Sequence, residues 1–230
     1  LPWSYLPKYL LITTPPVVLL LAALGLLLTP QSPRNERAST ALVLARLWLV
    51  VPVAAVVVLR PNLYDGYRHF LFVLPGIAIL AGTGAVVLVE RLGRPALRLV
   101  AQAAIVLAAI APVATLYRLH PYASAYFNGF VGGLAGAASD YDTDFWASSY
   151  KEAMNWLASQ GARGDRPRRV LVAANRFNRL CAAAYLPEGM RMQTIWEHVL
   201  PGARLPKRHD YYVSTTRYSY DSDFSEKPIV

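Results

Sequence analysis

The chain has 230 residues, of which 55% are hydrophobic and only 16% are charged, and its formal net charge is +9. A soluble chain usually carries about 25% charged residues, so this composition argues against an ordinary soluble protein. Residues 1–117 contain nine Lys/Arg and three Asp/Glu, whereas residues 118–230 contain fourteen and eleven. Because the cations of the first half flank apolar segments, we interpret them as anchors to lipid headgroups and do not expect nucleic-acid binding.

Four apolar segments occupy the first half of the chain. They cover residues 10–28, 41–59, 70–89 and 99–116, and Arg46 is the one charged residue that they contain. About 20 apolar residues in a helix cross a hydrocarbon core of ~30 Å. The sequence therefore predicts a mainly α-helical, polytopic bundle of four transmembrane spans within residues 1–117.

Glycines and one arginine inside these spans are expected to serve packing and anchoring. Gly76, Gly82 and Gly84 lie in an apolar segment that lacks the strand, turn and helix of a phosphate-binding loop. We therefore expect close contacts between helices at these positions. Arg46 lies one to two turns from the end of its span, and its long side chain is expected to reach the membrane surface.

The distribution of basic residues predicts the orientation of the bundle. The loops over residues 30–40 and 90–98 contain five arginines, whereas the N-terminal segment and the loop over residues 60–69 contain three basic residues. The positive-inside rule places the first two loops in the cytoplasm. Aromatic residues accumulate at the opposite interface: Trp3, Tyr5, Tyr9, Tyr64, Tyr67, Phe70, Tyr117 and Tyr122. Residues 118–230 are therefore expected on the outer, periplasmic side of a bacterial inner membrane.

The loop between the second and third spans places polar groups at the start of an apolar helix. It contains Asp65, Arg68 and His69, and Gly66 permits a turn that brings Asp65 towards Arg68. A guanidinium pairs bidentately with phosphate oxygens, so Arg68 beside His69 is suited to contact a lipid phosphate. The alternative is that Asp65 and Arg68 pair with each other while the neighbouring aromatic residues anchor the interface.

Residues 118–230 are predicted to form a small extramembrane α/β domain. Its first carboxylates, Asp140, Asp142 and Asp144, have the spacing of the start of a calcium loop. Phe145 and Lys151 stand where that loop requires Gly and Glu, so an EF-hand is rejected. His198 and His209 have no ligand spacing to each other, and neither a metal nor another cofactor is predicted.

The tail also contains helix and strand patterns. Ser149 and Glu152 form a capping box ahead of an apolar stripe, and Gly161 is expected to end this helix. The residues of the stripe are Trp146, Tyr150, Met154 and Leu157. Strands are predicted over residues 169–174 and 210–216, and short helices over residues 180–185 and 194–198.

Several runs of the chain carry a family resemblance. They are WSYLP at residues 3–7, TPP at 14–16, YDGYRHFLFVLP at 64–75 and AGTG at 81–84, followed by residues 120–133 and 141–153. This pattern resembles bacterial multi-pass glycosyltransferases of the GT-C type, which are related to family 39 and the protein mannosyltransferases. The resemblance covers most of residues 1–160, and its motifs are descriptive of the family without being catalytic.

The resemblance implies a chemistry. A sugar on a polyprenyl phosphate would be transferred to an acceptor at the outer membrane face, with an acidic residue as base and basic residues contacting the departing phosphate. In such proteins the acid lies in the first outer loop, which no part of this chain matches. The chain is therefore expected to be a C-terminal portion that works with preceding spans of the same protein and contains no catalytic acid.

Within this chain, we expect Arg68 and His69 to contact the donor phosphate and Asp65 to orient Arg68. Tyr64 and Tyr67 are expected to line the groove of the lipid. The alternative function is that of a non-catalytic multi-pass membrane protein, either a transporter fragment or a scaffold. Transporters usually have polar groups or broken helices near the membrane midplane, whereas the spans here are mostly Leu, Val and Ala.

Overall fold

A computed structural model describes residues 2–30, 36–63, 66, 68–138, 140–144, 146–159, 167–174, 176–196 and 210–214. The helices are α1 (Tyr5–Thr13), α2 (Pro16–Leu27), α3 (Glu36–Leu59), α4 (Leu74–Arg91), α5 (Pro95–Leu119), α6 (Gly133–Ala137), α7 (Tyr150–Ser159) and α8 (Arg176–Ala184). Three short 3-10 helices cover Arg68–Val73, Ala123–Ala125 and Gly129–Val131, and the strands are β1 (Arg168–Ala174), β2 (Met190–Trp196) and β3 (Tyr211–Val213). The chain forms two compact units, residues 1–134 and residues 135–230.

Three helices of the described chain are long and apolar enough to cross a membrane. They are Glu36–Leu59, Arg68–Arg91 and Pro95–Leu119, each 24 or 25 residues long. They contain the predicted segments 41–59, 70–89 and 99–116 and extend several residues beyond them. The first unit therefore has the helix lengths and the composition of a membrane protein.

The first predicted span, residues 10–28, is not one helix. α1 ends at Thr13 and α2 begins at Pro16, while Thr14 and Pro15 between them are extended, with ψ angles of 137° and 135°. A proline disfavours the helical conformation of the residue before it and lacks a backbone N–H, so Pro15 and Pro16 interrupt the helix. α2 has 12 residues and is about 18 Å long, which is too short to cross a ~30 Å core alone. The described residues thus contain three membrane-length helices and not the four expected.

Asn128 bonds the backbone carbonyls that this break leaves without helical partners. Its side-chain Nδ2 donates to the carbonyl oxygens of Leu11 and Thr14, both at 2.7 Å, and its backbone N–H donates to Ile12 at 2.8 Å. Its Oδ1 accepts the backbone N–H of Phe130 at 2.9 Å. Because Asn128 is only 2% exposed, these bonds replace water at the end of α1.

We expect Asn128→Ala to lower the free energy of unfolding by about 3 kcal/mol, because two buried carbonyls lose their donors. Asn128→Asp should be equally damaging, because it replaces the donor with a carboxylate oxygen beside those carbonyls. Denaturant unfolding in detergent, followed by circular dichroism, measures the change. Asn62→Ala, at an exposed loop position, is the control, and equal stability of the Asn128 and Asn62 variants would contradict the prediction.

α2 and α4 pack with their backbones in direct contact. A Cβ atom placed on Gly25 would lie 1.9 Å from the carbonyl oxygen of Leu80, and one on Gly84 would lie 1.8 Å from that of Leu21. Real Cβ atoms do not approach a carbonyl oxygen so closely, so only glycine allows this helix pair. Buried leucine and valine side chains around the contact form the core of the first unit.

The glycines of α4 differ in this respect. The prediction of close helix packing is confirmed for Gly84. Gly76 makes ordinary contacts, since a Cβ added there would lie 3.5 Å from the carbonyl oxygen of Ala45. The prediction is wrong for Gly82, around which no described atom lies within 4 Å of such a Cβ. The helical period explains the difference, since residues two positions apart face different sides of a helix.

The side chain of Arg46 bonds to the end of α2. Its Nη2 donates to the carbonyl oxygens of Leu28 at 2.7 Å and Gly25 at 3.2 Å. The last carbonyls of a helix lack intrahelical partners and carry the negative end of its dipole. The guanidinium therefore caps α2 at the helix end that precedes the 30–40 loop, and its reach to the membrane surface stays a prediction.

The second unit contains a parallel three-stranded sheet with the order β2-β1-β3. β1 confirms the strand predicted over residues 169–174, and β3 lies within the one predicted over residues 210–216. α8 overlaps the short helix predicted over residues 180–185. The short helix predicted over residues 194–198 is wrong for residues 194–196, which belong to β2. Their pairing with Val172–Ala174 of β1 supplies hydrogen bonds that a short isolated helix cannot match.

Asp144 caps the start of α7 in place of the predicted capping box. Its carboxylate accepts the backbone N–H groups of Ser148 at 2.8 Å and Ser149 at 3.0 Å, and the Ser149 hydroxyl at 2.6 Å. The N–H that Glu152 would accept in a capping box is thus donated to Asp144. Of the predicted stripe, Tyr150, Met154 and Leu157 are buried, whereas Trp146 precedes the helix and is 47% exposed. The predicted end at Gly161 lies outside the described residues.

Candidate functional site

Arg68 and His69 lie at the start of the helical stretch that continues into α4. The two residues begin the 3-10 helix Arg68–Val73, and Nε of Arg68 donates to Nε2 of His69 at 3.3 Å. Arg68 is half-buried, and His69 is exposed. The structure therefore places together two of the five residues predicted to bind the donor. Asp65, Tyr64 and Tyr67 lie outside the described residues, so their roles and the Asp65–Arg68 pair stay predictions.

The turn before Arg68 is attached to α1. The backbone N–H of Gly66 donates to the hydroxyl of Tyr5 at 3.1 Å, and the ring of Tyr9 packs beside Gly66. Gly66 has a φ of 71°, a left-handed conformation that favours glycine. The Tyr5 and Tyr9 rings contact each other at 4.8 Å between centroids. Their positions in the sequence predict a place at the membrane interface, and the fold shows that both tyrosines also contact the turn.

A cleft of about 210 Å³ opens beside the break between α1 and α2, and we call it the break cleft. Its described lining consists of Thr13, Thr14, Pro15, Leu74, Leu116, Ala123, Ser124 and Tyr126. None of these side chains is charged at neutral pH. The break cleft combines four hydroxyl-bearing side chains with apolar walls, and ligand sites in proteins commonly place a few polar groups on an apolar lining.

The break cleft lies near one end of the long helices. Leu74 is the first residue of α4, directly after the 3-10 helix that Arg68 begins, and Leu116 lies three residues before the end of α5. Given a rise of 1.5 Å per residue, the middle of α4 and the middle of α5 each lie about 13 Å from these residues. The helix break, the break cleft and Arg68 therefore share one end of the first unit.

Two of the hydroxyls in the break cleft belong to buried residues. Thr14 is 5% exposed and Tyr126 is 9% exposed. Burial raises the pKa of the Tyr126 hydroxyl above its usual value. A tyrosine hydroxyl is protonated at neutral pH even at its usual pKa, so this group can donate a hydrogen bond. In the sequence, Tyr126 and Thr14 stand out only as parts of the family-like runs. No signal in the sequence brought them together, because 112 positions separate them.

The described ranges contain no group of three or more His, Cys, Asp or Glu side chains arranged to bind a metal ion. No known protein family, curated protein or solved structure matches this chain. Any functional assignment therefore depends on the residues and the geometry of the chain itself.

Proposed function

We propose that the chain is the C-terminal portion of an integral-membrane glycosyltransferase. It would move a sugar from a polyprenyl-phosphate donor to an acceptor at the outer face of a bacterial inner membrane, with its tail in the periplasm. The observation that carries the proposal is the contact between Arg68 and His69 at the start of a helix of membrane length. The family-like runs of the sequence support the same assignment.

The chemistry of this position suits a lipid phosphate. A donor lipid places its phosphate at the membrane surface, where the effective dielectric constant is lower than in water and a charge-assisted hydrogen bond is stronger. The planar guanidinium of Arg68 matches two phosphate oxygens, and the imidazole of His69 adds a second nitrogen. Negative charge develops on the donor phosphate when the sugar leaves, so contacts here would stabilise the transition state.

The helix break favours a second candidate function, that of a transporter. Discontinuous helices with short halves are common at transporter binding sites, where they lie near the membrane midplane. Here the break adjoins Leu74 at the start of α4 and Leu116 near the end of α5. A position near the helix ends supports chemistry at the membrane surface over passage through the membrane.

A transfer assay tests the proposed function. The native full-length protein is reconstituted in liposomes and offered a panel of radiolabelled polyprenyl-phosphate sugars together with a membrane extract as the acceptor source. We expect transfer of label from one class of donor, and no transfer by residues 1–230 alone. Movement of the labelled lipid across the bilayer without transfer would favour the transporter, and transfer by the isolated chain would contradict the assignment of the acid to another segment.

A further inference from the structure

Three hydroxyls of the break cleft have no hydrogen-bond partner in the part of the chain that the structure describes. They belong to Thr14, Ser124 and Tyr126, whereas the hydroxyl of Thr13 donates to the carbonyl oxygen of Tyr9 at 2.6 Å. Thr14 and Tyr126 are more than nine-tenths buried. The three hydroxyl oxygens are not among the buried polar atoms that lack a partner, so they are accessible from the break cleft and can bond a molecule bound there.

The lining of the break cleft selects a neutral ligand. A phosphate or a carboxylate would require a cation or a fork of donors, and the described lining contains neither. Hydroxyl groups both donate and accept, so they match a ligand whose own groups are hydroxyls. Pro15, Leu74 and Leu116 supply apolar surface for C–H groups.

The size of the break cleft limits the ligand to one ring. Pockets for drug-sized ligands have volumes of about 300–1,000 Å³, and the break cleft, at about 210 Å³, is smaller. A neutral molecule with several hydroxyls, C–H faces and the size of a single ring is a monosaccharide unit.

We propose that the break cleft binds one uncharged sugar ring through the hydroxyls of Thr14, Ser124 and Tyr126. The inference deepens the proposed function and rests on it for the source of the ring, which would be the sugar of the donor lipid or of the acceptor. A sugar ring on a lipid and a free sugar ring have the same hydroxyl chemistry. The experiment distinguishes the two by comparing a glucoside that carries an apolar chain with one that does not.

The binding experiment uses residues 1–230 in phosphatidylcholine nanodiscs that contain no glycolipid. Saturation-transfer NMR is recorded with octyl β-glucoside, which carries the ring on an apolar chain, and with methyl β-glucoside, which carries it free. We expect saturation of the ring protons of octyl β-glucoside, with competition by methyl β-glucoside if the free ring suffices. Neither 1-octanol nor inorganic phosphate should compete.

Two isosteric variants locate the binding. Thr14→Val and Tyr126→Phe each remove one hydroxyl, and each should weaken glucoside binding roughly fivefold, as expected for one lost hydrogen bond. Thr83→Val, whose hydroxyl bonds within α4, and Tyr117→Phe, at an 84% exposed tyrosine of α5, are matched controls and should bind like the wild type.

Thermal unfolding of the same variants distinguishes a ligand contact from a structural bond. Without sugar, Thr14→Val and Tyr126→Phe should unfold at or above the wild-type temperature, because neither substitution removes a hydrogen bond between described groups of the protein. The proposal is overturned if the wild type does not bind octyl β-glucoside, if octanol or phosphate competes, if both variants bind normally, or if both lower the unfolding temperature. If residues 1–230 bind the glucoside but the native full-length protein transfers no sugar, the proposed function is contradicted and the sugar site is not.

Discussion

Gly84→Ala is expected to separate α2 from α4 and to lower the free energy of unfolding by about 3 kcal/mol or more. The added Cβ would lie 1.8 Å from the carbonyl oxygen of Leu21, and a backbone atom cannot move aside as the end of a flexible side chain can. The two helices must therefore shift apart along their whole contact. Unfolding in mixed micelles with increasing SDS, followed by tryptophan fluorescence, measures the loss.

Gly82→Ala is the matched control because it makes the same chemical change in the same helix. No described atom lies within 4 Å of a Cβ at this position. Alanine has the higher helix propensity, so this variant should be as stable as the wild type or up to about 1 kcal/mol more stable. Equal losses in Gly82→Ala and Gly84→Ala would refute the close approach of the two backbones.

Gly25→Ala tests the same contact from the other helix. Its Cβ would lie 1.9 Å from the carbonyl oxygen of Leu80, so we expect a loss similar to that of Gly84→Ala. Because one separation of α2 and α4 relieves both clashes, the double variant should lose clearly less than the two single losses added together. Strict additivity would mean that the two glycines act at independent places.

Arg68→Ala is expected to lower kcat/KM roughly 10²-fold or more in the native full-length protein. The guanidinium lies beside His69 at the start of the helix that leads into α4, where it can contact two oxygens of the donor phosphate. Arg68→Lys retains the charge and loses the planar fork, so it should recover only part of the activity. The initial rate of sugar transfer, measured over a range of donor concentrations, gives kcat and KM.

Arg94→Ala is the control for Arg68, because Arg94 is an exposed arginine at the start of α5, at the opposite end of the long helices. It should retain wild-type kcat/KM if the loss in Arg68→Ala reflects a phosphate contact. A residue that only anchors the helix would be replaced well by lysine, whose side chain also reaches the surface. Wild-type activity in Arg68→Lys together with near-wild-type activity in Arg68→Ala would contradict the phosphate contact and would indicate that Arg68 only anchors the helix.

The membrane-length helices were predictable from the sequence because their signal is local. An uncharged run such as residues 70–89 predicts a membrane helix from its own residues alone, because its backbone groups bond within the helix and its side chains are compatible with lipid. The same holds for β1, whose short apolar run is typical of a buried strand. For the candidate site, the neighbouring positions of Arg68 and His69 were visible in the sequence, and the structure adds the contact between their side chains.

The sequence also contained the signal for the helix break, because Pro15 and Pro16 cannot donate backbone hydrogen bonds. A proline inside a span can kink a helix or end it, and the choice depends on what bonds the freed carbonyls. Here Asn128 supplies those bonds from more than a hundred positions away. Only the folded chain brings that donor to the break, so the sequence alone favoured one continuous span.

By itself, the sequence determined which segments of this protein are apolar, how long they are and where their charged ends lie. The tertiary structure decided which glycines face a neighbouring backbone, how Arg46 caps α2 and which hydroxyls meet in the break cleft. Helix period and hydropathy act over a few residues and can be read along the chain. Contacts such as Gly25 with Leu80, or Tyr126 with the cleft beside Thr14, depend on the relative placement of whole helices, which the sum of many weak packing interactions decides.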